Sequence, residues 1–227
     1  MNYCNKKISS TSKYDKLQNK KCHLPSGHQG KCSEFPFLKH LNSTFKRVSD
    51  KIKRDSTMTT GAAWKSEDAG PNRILRWVML ESDENLKKYG INMENLKDGV
   101  VAKLREKAAD YDSCIQVAIK LTWLVYQMEG APICPDEIKT YLEEHFGEMN
   151  NNSTTCAICL DSIAFDLFHT AQRGKANLET CHLNPRLHGP DNVGFGHREC
   201  NIAQGNKTLD EFYNWISEIL ERANRLN

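Results

Sequence analysis

The chain has 227 residues, of which 39% are hydrophobic and 26% charged, and this balance excludes a wholly disordered protein. No run of about eighteen apolar residues occurs, so no membrane span is expected. The N-terminus is polar and lacks the apolar stretch of a secretory signal. We therefore expect a protein that works in the cytoplasm.

Basic residues are concentrated near the N-terminus, although the net formal charge is only +2. Residues 1–65 hold 14 Lys and Arg against 4 Asp and Glu. Residues 66–150 hold 10 against 16, and residues 151–227 hold 7 against 9. A segment with this excess of positive charge is attracted to a polyanion such as DNA or RNA. The alternative interpretation is a solvated, weakly ordered arm.

The first region, residues 1–40, contains a group of candidate metal ligands. Nine cysteines in a cytoplasmic chain indicate metal sites before disulfides, because that compartment keeps thiols reduced. The region predicts a small zinc-knuckle-like module that would contact DNA, and glycines on both sides of its histidine would allow tight turns. The alternative is a disordered arm with incidental thiols. The four candidate ligands are Cys4, Cys22, His28 and Cys32.

Two further regions follow in the middle of the chain. Residues 41–70 are rich in Ser, Thr, Lys and Asp, a composition that predicts a linker. Residues 71–150 predict a helical block for DNA recognition or dimerisation. Its apolar spacing indicates one helix with a stop signal at Gly130 and a second that follows Pro135 and ends at Gly147.

The last region, residues 151–227, contains two metal-ligand pairs with two residues between the members of each pair. Cys156 and Cys159 form the first pair, and His197 and Cys200 form the second. This spacing lets three thiolates and one imidazole reach a single tetrahedral Zn²⁺. Because all four positions are filled by protein, such a zinc would be structural and would contribute folding energy.

The chain ends in a predicted amphipathic helix. Thr208 and Glu211 have the spacing of a capping box at its start. The apolar face then repeats at helical spacing through Phe212, Ile216 and Leu220. The last region is therefore expected to close in a long amphipathic helix.

The stretch between the two metal-ligand pairs carries a more specific pattern. His182 follows a predicted strand and precedes Pro185, Asn192 lies in a loop, and Asn201 directly follows the last cysteine. In order and spacing these residues resemble the HNH nucleases of the ββα-metal class, over roughly residues 153–210. The resemblance implies an α+β fold, with a zinc-stapled HNH domain at the C-terminus of the chain.

The resemblance also implies roles for these residues. His182 would be the general base that takes a proton from the attacking water. Asn192 would hydrogen-bond the backbone and hold His182 in place. Asn201 would offer its amide oxygen to a catalytic Mg²⁺ or Mn²⁺, which binds the scissile phosphate.

One residue departs from the family pattern. Many members have an acidic metal ligand directly before the base histidine, and this sequence has Cys181 there. A thiol suits Zn²⁺ better than Mg²⁺. Asn201 and waters alone would then hold the metal, or Glu179 or Asp191 would reach the site, or the site would be degenerate. Cys181 as a further zinc ligand is a weaker alternative.

A further local pattern consists of Gly196 and His197, Cys200 and Asn201, and residues 204–208. This pattern resembles the HNH members of the type II restriction endonucleases. It implies a Mg²⁺-dependent, sequence-specific nuclease that cuts double-stranded DNA as a homodimer, because two cuts need two active sites. One alternative is another HNH nuclease, such as a homing, phage or antiphage enzyme that nicks one strand. A second is a non-catalytic, zinc-dependent nucleic-acid-binding protein. The candidate phosphate contacts are Arg173, Lys175, Arg186 and Lys207.

Overall fold

The computed structural model describes residues 2–8, 20–59, 74–88, 91–172 and 175–225. Within these ranges the chain forms helices joined by short turns, and two small antiparallel sheets. The helices are α1 (Lys39–Thr44), α2 (Lys46–Thr57), α3 (Asp83–Lys88), α4 (Asp98–Glu106), α5 (Tyr111–Val125), α6 (Asp136–Phe146), α7 (Arg198–Gln204) and α8 (Leu209–Arg222). The strands are β1 (Ala171–Gln172), β2 (Lys175–Ala176), β3 (Leu178–His182) and β4 (Val193–His197).

Helix α5 lies at the centre of the fold. It begins at Asp110, whose side chain accepts a hydrogen bond from the Ser113 amide and so satisfies one of the free amides of the first turn. Apolar residues cover most of its surface, and the helix packs against α2, α6 and β4. Helix α6 ends at Gly147, whose positive φ of 85° suits the stop predicted there. Both predicted helices of the middle block are therefore present.

Residues 41–57 do not form the linker that the sequence predicts. They belong to α1 and α2, and Leu41, Val48 and Ile52 are completely buried. The many Ser and Lys residues led to the prediction of a linker. The apolar side chains nevertheless recur every three or four positions, as in a helix, and α2 packs on α5. The rest of the predicted linker lies outside the described residues.

The N-terminal segment packs against the helical block. Its two pieces pair through isolated antiparallel bridges between Tyr3 and Pro25 and between Lys7 and Lys21. The Tyr3 ring then lies 5.3 Å from the ring of Tyr141 on α6. The basic segment is thus docked on the helices through its aromatic residues.

The C-terminal region forms a hairpin followed by two helices. Strands β3 and β4 pair antiparallel, from Leu178 opposite His197 to His182 opposite Val193. Helix α7 starts where β4 ends and stops at Gly205, which has a positive φ of 62°. Helix α8 begins with the predicted capping box. The α+β class expected from the sequence is confirmed.

One hydrophobic core connects the helical block to the C-terminal hairpin. It runs from Phe37 through Ile115 to Phe195 and Phe212. The boundary predicted near residue 150 therefore does not coincide with a break in the core. None of the described helices is long and apolar enough to cross a membrane.

Candidate active site

A cleft of about 280 Å³ lies between α2, the end of α4 and the hairpin with α7. Its walls come from parts of the chain that are far apart in sequence. The hairpin and α7 supply His182 and Asn201, so two of the predicted site residues share one cleft. The polar residues that line it include Arg54, Asp55, Arg76, Lys107, Glu179, Thr180, His182, Asn201 and Gln204.

His182 is held by a chain of hydrogen bonds. Its Nε2 lies 3.1 Å from Nδ1 of His188, and Nε2 of His188 lies 2.8 Å from the backbone oxygen of Ser56. The Ser56 oxygen can only accept, so His188 carries its proton on Nε2. A neutral His188 must then accept at Nδ1 from His182, which leaves the proton of His182 on Nε2 and its lone pair on Nδ1.

Both imidazoles are neutral at physiological pH. Burial, together with the positive charges of Arg76 and Lys107, lowers the pKa of His182 to about 3. Burial likewise lowers the pKa of His188 to about 2, with Arg76 again contributing. A neutral imidazole with an available lone pair can take a proton from water.

Two side chains fix the segment around His182. The Asn192 amide nitrogen donates to the backbone oxygens of Asn184 and Leu187, and its amide oxygen accepts from the Asn184 amide. Buried Gln204 donates to the backbone oxygen of His182 at 3.0 Å. Asn192 therefore makes the backbone contacts that the sequence predicts, while Gln204 adds a support that the sequence does not single out.

The cleft also contains two carboxylates, Asp55 and Glu179. Burial alone would raise the pKa of Asp55, but Lys51 and Arg54 outweigh it and lower that pKa. Asp55 also accepts from Thr180 of β3 at 3.0 Å. Glu179 pairs with Arg198 at 2.7 Å. Both carboxylates line the cleft with Asn201 and are of the oxygen-donor type that a hard divalent cation prefers, while each already pairs with Lys51.

Cys181 is buried and lies outside the cleft lining, whereas His182 lines the cleft. A Cβ atom on Gly196 of β4 would lie 2.6 Å from the sulfur of Cys181 and 3.3 Å from that of Cys156, so the thiol lies on the side of the C-terminal metal-ligand group. Burial raises the pKa of the Cys181 thiol far above its usual range. Asp191 is exposed and absent from the cleft lining, so Glu179 is the acidic residue named from the sequence that does reach the cleft.

The four predicted ligands of the C-terminal zinc site come together. Cys156, Cys159, His197 and Cys200 place their ligand atoms within 4.8 Å of one another. The Cys159 sulfur lies 3.4 Å from Nδ1 of His197, and a tetrahedral zinc site needs separations of roughly this size. Burial would raise the pKa of Cys156, but backbone amides, led by that of Cys159, lower it. The donor set fits a structural Zn²⁺ held as thiolates and imidazole.

The N-terminal group has the same character. The ligand atoms of Cys4, Cys22, His28 and Cys32 also lie within 4.8 Å of one another. Nε2 of His28 is 3.4 Å from the sulfur of Cys22, which also accepts from the Ser33 amide. These residues fit a second Zn²⁺, against the alternative of a disordered arm with incidental thiols.

The predicted phosphate contacts lie outside this cleft, as far as they are described. Arg186 is exposed in the loop after β3, and Lys207 lies 4.4 Å above the ring of Trp215. Lys175 belongs to β2, but its side chain falls outside the described part of the structure, as does the whole of Arg173.

Sequence reasoning missed most of the cleft wall that lies opposite His182. Asp55 belongs to the region predicted as a linker, and Arg76 and Lys107 belong to the helical block. No local motif marks any of them, because each reaches the site only through the packing of the shared core. His188 also has little local signal, since it merely follows His182 by six positions in a loop.

Two comparisons with known proteins match most or all of the chain. The model of the DraIII family matches residues 34–200, which includes both the helical block and the hairpin. A solved structure described as the crystal structure of a type II restriction endonuclease is 48% identical over 100% of both chains, with a TM-score of 0.85. No curated protein sequence matches significantly.

Proposed function

The chain belongs to the DraIII family of restriction endonucleases, and from this we propose that it is an HNH-type, sequence-specific endonuclease that cuts double-stranded DNA. The observation that carries the proposal is the placement of His182 and Asn201 in one cleft. These residues come from β3 and α7, the hairpin and helix of a ββα unit. The type II character rests on the similarity to the solved type II enzyme.

In the proposed reaction, water attacks the phosphorus of one phosphodiester and the bond to the 3′-oxygen breaks. His182 accepts the proton of the attacking water at Nδ1, the nitrogen that the hydrogen bond to His188 leaves with a lone pair. The departing 3′-oxygen takes a proton from solvent. Asn192 and Gln204 keep the backbone around His182 in position through their hydrogen bonds.

Asn201 would hold a divalent cation, with Glu179 and Asp55 as its acidic neighbours in the cleft. When bound, Mg²⁺ or Mn²⁺ supplies Lewis-acid stabilisation of the negative charge that develops on the phosphate. Arg198 and Lys51 hold the Glu179 carboxylate in place. Structural Zn²⁺ would occupy the two Cys₃His groups.

Cleavage of both strands at a short site requires two active sites, so we infer a homodimer on a two-fold symmetric target. The test is incubation of the purified, zinc-loaded protein with plasmid or phage DNA in Mg²⁺, in Mn²⁺ and without added divalent cation. His182→Ala should abolish cleavage. His169→Ala is a matched control, because His169 is exposed and lies outside the cleft lining.

Discrete, metal-dependent fragments with a common sequence at their ends would support the proposal. Nicked circles without linear product would instead favour a strand-nicking HNH enzyme acting as a monomer. Metal-independent binding without any cleavage, by a folded protein on methylated and unmethylated DNA, would favour a non-catalytic nucleic-acid-binding protein.

A further inference from the structure

The wall of the cleft that faces His182 carries positive charge from outside the hairpin. Arg76 is 4% exposed and donates to the backbone oxygens of Lys107 and Asp55. Its Nε is buried and has no hydrogen-bond partner within the described part of the chain. Burial lowers the pKa of Arg76 to about 10, which still leaves the guanidinium charged.

Lys107 stands directly beside Arg76 at the end of α4. Its side chain lines the cleft, and no carboxylate of the described residues pairs with its ammonium group. Burial lowers the pKa of Lys107, and the charge of Arg76 lowers it further. A half-buried ammonium group next to a buried guanidinium is costly unless an anion comes to balance them.

The two carboxylates of the cleft are already neutralised. Asp55 pairs with Lys51 at 2.8 Å and with Arg54 at 2.8 Å, and Glu179 pairs with Arg198 and Lys51. Arg76 and Lys107 therefore remain as an excess of positive charge in a cleft that also holds the neutral His182. The missing counter-charge must come from a ligand.

We propose that Lys107, with Arg76 behind it, forms a phosphate-binding site that holds the scissile phosphodiester of DNA against His182. This inference rests on the proposed nuclease function and assigns the helical block a place in the active site. Lys107 is the group that contacts the phosphate oxygen. Arg76 donates a hydrogen bond to the backbone oxygen of Lys107, and its positive charge adds to the electrostatic attraction of the phosphate.

This placement has a chemical consequence for the reaction. The attack of water adds negative charge to the non-bridging oxygens of the phosphate, and a fixed cation close to them stabilises the transition state. Burial, helped by the same two cations, lowers the pKa of His182 and keeps its imidazole neutral. An incoming phosphodiester would offset their charge and raise the proton affinity of His182 when the substrate is bound.

The test uses the full chain with Lys107→Met, which keeps the length of the side chain and removes its charge. Single-turnover cleavage should slow by on the order of 100-fold. The slope of log affinity against log salt for duplex DNA, measured without added Mg²⁺ or Mn²⁺ and without a chelator, should fall by about 0.9, which corresponds to one phosphate contact. Lys107→Arg should recover most of both properties. Lys103→Met is the matched control, because Lys103 is exposed one turn earlier on α4 and lies outside the cleft lining.

If Lys107→Met cleaved DNA at the rate of the unchanged protein and showed the same salt slope, the proposed phosphate-binding site would be wrong. Equal losses in Lys103→Met would also overturn it, because a general surface charge would then explain the effect. The salt slope requires binding alone, so it tests the site even if the unchanged protein cleaves no DNA. Absence of cleavage by the unchanged protein would contradict the proposed nuclease function, and the salt slope would still decide the phosphate site. Thermal unfolding of each variant shows whether it is folded.

Discussion

Nε2 of His182 and Nδ1 of His188 lie 3.1 Å apart, and this contact connects the cleft to the backbone of helix α2. His188 in turn donates to the backbone oxygen of Ser56. The contact fixes which nitrogen of His182 carries a proton, since neither neutral ring has a second arrangement that satisfies all three groups. His188 is therefore a positioning residue for His182, supplied by the loop between β3 and β4.

Replacement of His188 by Ala should lower kcat by about 10- to 100-fold and leave KM nearly unchanged, because the variant loses the orientation of His182 but no contact to DNA. His188→Asn should recover part of the rate, since an amide oxygen can accept near the position of Nδ1. Steady-state cleavage of a short duplex measures both constants.

The matched control is Leu187→Ala, which removes an exposed side chain from the same loop. It should cleave like the unchanged protein. A His188→Ala protein with full kcat, or one whose KM alone changes, would show that the contact does not position the base.

The buried imidazoles also make stability sensitive to acid. Their folded pKa values, about 3 for His182 and about 2 for His188, lie below the unfolded value near 6.5. Between these values the unfolded chain binds more protons, so stability is full above the unfolded pKa and falls as the pH decreases below it. Each histidine contributes a slope of up to about 1.4 kcal/mol per pH unit.

His188→Gln should reduce this slope by about one histidine's share over roughly pH 6 to pH 5. Urea unfolding at several pH values measures it, with His169→Gln as the control on an exposed histidine. An unchanged slope in His188→Gln would mean that His188 already takes up its proton in the folded state.

The sequence predicts those parts of the site that depend on local spacing. Both metal-ligand groups, the strand that ends at His182 and the placement of Asn201 follow from positions near each other in the chain. The opposite wall does not, because Arg76 reaches the cleft from a short 3₁₀ helix, Arg76–Leu80, that packs on α4 and α5, and Lys107 reaches it from the end of α4. Helix α2 was also not predicted from the sequence, because Val48 and Ile52 are its only apolar residues and the rest of its composition is polar.

A glycine in β4 makes room for the C-terminal zinc site. A Cβ atom on Gly196 would lie 2.6 Å from the sulfur of Cys181 and 3.3 Å from that of Cys156. Gly196→Ala should destabilise the fold by about 1–3 kcal/mol, because the sulfurs must shift, and should speed the loss of zinc. Thermal unfolding and zinc release to a coloured chelator are the measurements. Gly189→Ala is the control, because a Cβ there meets nothing within 4 Å.

Cys181 occupies the position where many HNH nucleases have an acidic metal ligand, yet it packs against Gly196 and lies outside the cleft lining. Cys181→Ala should therefore retain metal-dependent cleavage, and it should partly rescue Gly196→Ala by removing the closer sulfur. Cys181→Asp should not improve cleavage and should destabilise the protein, since it buries a carboxylate beside the thiolate of Cys156. The contrary result is a Cys181→Ala protein that cleaves no DNA while both metal-ligand groups still bind zinc. That result would show that the thiol takes part in the reaction and would contradict its placement outside the cleft.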